Sequence, residues 1–160
     1  MVNRVPFEIK TIAETLTEAG FEAFLVGGCV RDLLRAVVYG ESAEPKDWDI
    51  ATDATPEKIQ KIFPESVYEN KFGTVGVKTD SKDEKLKVVE ITTFRLEGKY
   101  SDKRHPDEVK FAKTIEEDLA RRDFTINAIA LNIDVNKVID PYGGREDLKK
   151  NIVRTVGDPD

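Results

Sequence analysis

The 160 residues suffice for one domain with a core of its own, and 39% hydrophobic with 35% charged residues is the composition of a globular chain with a heavily charged surface. With 25 Lys and Arg against 31 Asp and Glu the net charge is -6, which argues against a broad nucleic-acid platform, although local basic patches can still touch RNA. The single Cys29 excludes an internal disulfide and a zinc site built on several thiolates, Met1 to Lys10 lacks a basic start leading into an apolar run, and no stretch approaches membrane-spanning length; the expectation is a reducing, cytoplasmic setting with no membrane partner.

From Phe7 to Ala19 the apolar residues Ile9, Ile12, Ala13 and Leu16 recur at helical spacing, and Gly20 follows where a left-handed cap would end the helix. Ala23-Phe24-Leu25-Val26 reads as a short buried strand stopped by Gly27-Gly28, after which Val30, Leu33, Leu34 and Val37 set a second helical period. A loop from Tyr39 to Pro45 delivers the chain to Lys46-Asp47-Trp48-Asp49-Ile50-Ala51-Thr52, read as a strand. Thr55-Pro56 opens a helix over Glu57 to Phe63, with Thr55 as N-cap, and Pro64 stops it. Thr74 to Thr79 and Leu86 to Phe94 alternate as two strands of a hairpin around the polar turn Asp80 to Asp83. Arg95 to Glu108 is a charged loop containing His105, expected to be a solvated residue. Thr114-Ile115-Glu116-Glu117 is a capping box, Leu131 to Ile133 and Val138 to Asp140 form a small hairpin, and Asp140-Pro141-Tyr142-Gly143-Gly144 is a turn before a short helix at Glu146-Asp147-Leu148.

Chemistry concentrates in a few of these places. Side chains alternate faces along a strand, so Asp47 and Asp49 point the same way while Trp48 and Ile50 turn into the core. Two adjacent acids repel unless a cation lies between them, and hard oxygen ligands suit magnesium; a solvated strand end is the plainer alternative. Strand, Gly27-Gly28, helix start is a recipe for an anion site, with Arg31 as a fixed charge for phosphate oxygens, and a tight turn with a surface Arg31 to Asp32 pair is the alternative. Glu90 stands on a strand with apolar neighbours as a candidate third acid, or else faces outward toward a lysine such as Lys78. Arg121 to Ala128 interleaves basic, acidic and amide groups with Phe124, Ile126 and Ala128, where a charged helix face is the alternative.

Together, Gly27-Gly28-Cys29-Val30-Arg31-Asp32, Asp47-Trp48-Asp49, Arg121-Arg122-Asp123-Phe124-Thr125-Ile126-Asn127-Ala128 and Asp140-Pro141-Tyr142-Gly143-Gly144 resemble the bacterial-type tRNA nucleotidyltransferase and poly(A) polymerase family, class II of the polymerase-beta-like superfamily. Tyr100 to Pro106, following Thr93-Phe94-Arg95, looks more like its CCA-adding branch. The resemblance implies an α/β palm, a small mixed sheet with helices packed on one side, and addition of CMP and AMP from CTP and ATP to the 3′ end of tRNA. It implies that Asp47 and Asp49 hold two Mg2+ ions, that Gly27, Gly28 and Arg31 grip the triphosphate, and that Arg122 and Asp123 lie near the ribose. Asn127 of the same motif goes with the nucleotide-binding residues, and Glu90 with the acids of the palm. An A-adding, CC-adding or poly(A) polymerase relative, or a head fragment that only binds Mg-nucleotide, remains the alternative. The expected organisation is a head over residues 1–140 and a hinge and linker over 141–160. Gly157-Asp158-Pro159-Asp160 reads as a cut end, ahead of the helical neck, body and tail that in the family select the base and hold tRNA.

Overall fold

The computed structural model describes residues 1–69, 72–96 and 110–158; His105 and the rest of the 97–109 segment lie outside them. In chain order the elements are α1 (Phe7–Glu18), β1 (Ala23–Val26), α2 (Gly28–Val38), β2 (Asp49–Thr52), α3 (Pro56–Ile62), β3 (Ser66–Tyr68), β4 (Thr74–Lys78), β5 (Val88–Thr93), α4 (Ile115–Ala120), β6 (Ala130–Asn132), β7 (Lys137–Ile139) and α5 (Gly144–Lys150). Short 3-10 turns occupy Val2–Arg4, Glu84–Leu86 and Thr125–Asn127.

The seven strands form one sheet in the order β3-β4-β5-β2-β1-β6-β7. Only the central β2 and β5 run parallel; every other neighbouring pair is antiparallel. The register sets Asp49 opposite Val26 on one side and opposite Glu90 on the other, and Gly76 of β4 opposite Glu90. Period-two alternation then sorts the side chains by face. Leu25, Ile50, Val75 and Ile91 join Ile9, Leu16, Leu33 and Ile59 in the larger core, which places α1, α2 and α3 behind the sheet as the sequence suggested.

The opposite face departs from the expectation of helices on one side alone. Phe24, Val26, Ala51 and Phe94 make that face apolar over part of its length, and Ile115 and Leu119 of α4 cover it. Exposing such a patch would cost about 25 cal/mol for each Å² left in water, so the alternation itself calls for a cover. The acids occupy the uncovered part of this face, since Asp49 and Glu90 share the parity of Ala51 and Thr92.

Several local expectations hold and others shift. Gly20 ends α1 with φ +90°, and Thr114 and Glu117 make the reciprocal capping box of α4. Thr55 takes the extended N-cap conformation before Pro56 but makes no side-chain cap bond. The second hairpin strand begins at Val88 because Leu86 is buried inside the Glu84–Leu86 turn, whose first turn is capped by Asp83 accepting from the Lys85 N–H. Edge strand β3 is an addition to the sequence reading. Residues Arg121 to Ala128 are no helix face: α4 stops at Ala120 and the motif continues as a turn and the Thr125–Asn127 3-10 turn. Residues following Asp140 pack back on the body, with Thr125 Oγ1 donating to buried Asp147 Oδ2 at 2.6 Å and Arg154 Nε donating to the same oxygen at 3.0 Å.

Candidate functional site

Asp49 opens β2, whereas Asp47 sits one bend earlier, so the strand starts three residues later than the sequence suggested. The facing nevertheless follows the alternation: Trp48 is 8% and Ile50 1% exposed, both in the larger core. Asp47 and Asp49 line one cleft with Gly28, Arg31, Asp32 and Lys46, and a second with Lys85, Val88 and Glu90. They therefore form the wall between two openings. Burial raises the pKa of the Asp49 carboxyl, the Arg122 guanidinium opposes that rise, and the Asp47 charge adds to it.

The backbone at Gly27 has φ +76° and ψ -141°, a conformation that side chains avoid, and it starts α2 directly beside the acids. A Cβ at Gly27 would stand 3.2 Å from Arg122 Nη1 and 4.0 Å from Asp49 Oδ2, so the absent side chain is what leaves room between cation and acid. At Gly28 a Cβ would meet Arg31 Nη2 at 3.4 Å. Arg31 is held from two sides, its Nε donating to Asp32 Oδ1 at 3.0 Å and its Nη1 to Asn127 Oδ1 at 2.9 Å. Asn127 thus supports Arg31 from the other end of the chain. Cys29, the next residue along, donates its thiol to the Val26 carbonyl at 3.2 Å; burial pushes its pKa up to about 11, which makes it a packing residue and a poor nucleophile.

Arg122 lies behind Gly27, and Asp123 follows it on the side away from Gly27. Its side chain is exposed in a cleft that it lines with Arg121, Arg122, Phe124, Thr155 and Val156, while its carbonyl accepts from the Val156 N–H at 3.0 Å. Glu90 lies beside Asp49 in register, and its pKa is raised by burial first, then by Asp49 and by Glu69, which also hydrogen bonds to it. Neither outward pairing with Lys78 nor isolation describes it: Lys78 stands opposite Val88, and Glu69 reaches over Gly76 to meet Glu90.

Two residues of this neighbourhood were absent from the sequence reading. Asp118, 0% exposed, accepts from Arg121, Arg122 and the Arg95 N–H. Its spacing of three and four residues from Arg121 and Arg122 was the available signal. Glu69 follows the short β3, and no local signal marks it.

Among the described residues no three His, Cys, Asp or Glu side chains converge as a ready-made metal cage. Two carboxylates on one cleft wall, with burial and mutual repulsion raising Asp49, do fit Mg2+, which takes one or two protein carboxylates and completes its octahedron with water and substrate phosphate. No helix among the described residues is long and apolar enough to cross a membrane.

Two acids at the head of a central strand, beside a glycine turn that starts a helix, make this fold a nucleotidyltransferase palm. The family described as "Poly A polymerase head domain" matches residues 23–154, and the chain belongs to that family. It is 45% identical over 155 residues to the CCA-adding enzyme of Geobacillus stearothermophilus, covering 96% of this chain and 35% of that protein. The CCA-adding enzyme of Anoxybacillus flavithermus (strain DSM 21510 / WK1) is 47% identical over 150 residues, 93% of this chain and 35% of the relative. Among solved structures, the Bacillus stearothermophilus CCA-adding enzyme in complex with CTP superposes with a TM-score of 0.76 at 39% identity, over 96% of this chain and 34% of the other. A tRNA nucleotidyltransferase complexed with a primer tRNA and an incoming ATP analog gives 0.66 at 28%, over 91% and 39%. The resemblance carried by the motifs is borne out, and the chain spans about a third of the length of the curated relatives it matches.

Proposed function

We propose that the chain is the catalytic head of a metal-dependent, template-independent nucleotidyltransferase that adds CMP and AMP from CTP and ATP to the 3′ end of tRNA and releases pyrophosphate. The observation that carries this reading is the joint wall of Asp47 and Asp49 with Gly28, the start of α2 and Arg31 in one cleft, and Gly27 close beside Asp49. The likeness to CCA-adding enzymes, and to neighbouring structures in complex with CTP or with a primer tRNA and an incoming ATP analog, supports the choice of substrates.

In this reading Asp47 and Asp49 are the carboxylates that hold two Mg2+ ions, with Glu90 beside Asp49 as a further acid. Bound there, the metal would lower the pKa of the primer's terminal hydroxyl and neutralise the triphosphate. The N–H groups at the start of α2 and the charge of Arg31 receive phosphate oxygens, and glycine at 27 and 28 lets the backbone approach them. Arg122 presents a cation beside Asp49, and Asn127 keeps Arg31 in place. The hydroxyl attacks the α-phosphorus in line, a new P–O bond forms, and the bond to pyrophosphate breaks; the protein's task is to hold charges in position. Asp123 lines a neighbouring cleft together with Arg122 and would meet a ribose if the nucleotide extends past Arg122 into it.

Residues 1–140 are the head in this reading, and 141–160 the passage toward a helical neck that selects the base and holds the tRNA. A poly(A), A-adding or CC-adding relative is the second reading, favoured by the description of the matching family. One experiment separates them: a full-length chimera in which this head replaces that of the Geobacillus stearothermophilus enzyme, incubated with Mg2+, tRNA lacking its 3′ end and labelled CTP or ATP. Incorporation of both bases shows a head competent for CCA addition, AMP alone supports the second reading, and incorporation of neither refutes both.

A further inference from the structure

We propose that Asp118 is a positioning residue that aims Arg122 at the cleft beside Asp49; the inference rests on the nucleotide-binding reading of that cleft.

Asp118 is 0% exposed, and a carboxylate taken wholly out of water is costly unless every lone pair is used. Its two oxygens have different tasks. Oδ1 accepts the Arg95 N–H at 2.9 Å and Arg121 Nη2 at 3.1 Å, tying α4 to the chain just after β5. Oδ2 accepts Arg122 Nη2 at 3.2 Å and, among the described bonds, serves nothing else. Arg122 follows the end of α4, its N–H donating to the Leu119 carbonyl at 3.2 Å, and Asp118 is the side chain its guanidinium pairs with among the described residues. The other end of the guanidinium stands behind Gly27, with Nη1 3.2 Å from where a Cβ would be. Its buried Nε has no acceptor among the described residues. A cation held from behind by one carboxylate and facing a second across a glycine is placed to receive a ligand oxygen through its Nη1 side. Helix α4 is itself fixed by its capping box and by Ile115 and Leu119 in the core, so the anchor is rigid.

The test is a double-mutant cycle read by calorimetric titration of the 160-residue chain with Mg-ATP, with thermal unfolding of each variant alongside. Asp118→Asn keeps size but turns one acceptor into a donor facing the guanidinium, and Mg-ATP affinity should fall about tenfold, the scale of one charged hydrogen bond. Placed on Arg122→Met, the same change should leave affinity where Arg122→Met alone puts it, because its target is gone. Arg121→Met, which disturbs only the Oδ1 side, should lower the melting temperature and leave affinity unchanged; it also decides the matter if Asp118→Asn does not fold. Equal losses from Asp118→Asn in both backgrounds, or a comparable loss from Arg121→Met, overturn the positioning role while leaving the nucleotide reading intact. Absence of Mg-ATP binding by the unaltered chain overturns the nucleotide reading, and the inference with it.

Discussion

Substituting Gly27 by alanine separates backbone strain from damage to the site. With φ +76° and ψ -141°, residue 27 occupies a region that costs a non-glycine residue about 1–3 kcal/mol. For a chain of this size that is a fall in melting temperature of about 4–8 °C at the middle of that range. The added methyl would also stand 3.2 Å from Arg122 Nη1, closer than most Cβ contacts, and Arg122 is tethered by Asp118 and has little freedom to withdraw. Displacing that guanidinium forfeits a charge-assisted contact of about 1.5–3 kcal/mol, so Mg-ATP affinity should fall about tenfold or more. Gly20 is the control: φ is +90° and a Cβ would meet nothing within 4 Å, so Gly20→Ala incurs a backbone cost without touching the site. Thermal unfolding and calorimetric titration of both variants are the assay. Gly27→Ala should lose affinity far beyond its loss of stability, Gly20→Ala only stability. Equal Mg-ATP affinity in the two variants would refute the placement of Gly27 between Arg122 and Asp49.

Further expectations follow from the same geometry. A carboxyl whose pKa is higher folded than unfolded favours folding at pH below its unfolded value, and that contribution is lost as pH climbs through the folded value. The raised pKa of Asp49 therefore makes Asp49→Asn more stable than the unaltered chain in urea unfolding at pH 7 without metal, with the gap vanishing toward pH values of about 4 and below; a gap independent of pH contradicts it. Saturating Mg2+ should narrow the same gap by stabilising only the chain that keeps Asp49, and no response to Mg2+ in either protein would count against the metal site. Gly144→Ala drives a Cβ into the Thr125 carbonyl and within 2.9 Å of Ile129 Cδ1, so denaturant unfolding should show a loss of about 1–3 kcal/mol, and an unchanged midpoint would contradict the packing of α5 on the Thr125–Asn127 turn.

The parts of the site that were legible in the sequence are those fixed by local periodicity. Trp48 and Ile50 turn into the core and leave Asp47 and Asp49 outside because strands alternate, even though the strand itself begins only at Asp49, where Val26 and Glu90 supply partners on both sides. Gly27-Gly28 was readable from the abrupt change between a strand and a helical period. What was not readable depends on tertiary distance. Adjacent in sequence, Arg122 and Asp123 line one cleft with Thr155 and Val156, and the Arg122 guanidinium reaches beyond it to Gly27, a contact that no local pattern shows. The helix covering Phe24 and Phe94 could not be placed from the segment 114–120 alone, since six residues carry too little periodicity to show which face they cover. Glu69 meets Glu90 only through a three-residue edge strand, too short to announce itself.

Equilibrium dialysis of labelled ATP against the 160-residue chain, with Mg2+ or with a chelator, tests the central claim most directly. The account requires that ATP be retained by the unaltered chain with Mg2+, released when the metal is chelated, and not retained by the Asp47→Ala, Asp49→Ala double variant, whose melting temperature without metal should not fall below that of the unaltered chain. Equal retention of ATP by the double variant in Mg2+ would contradict it.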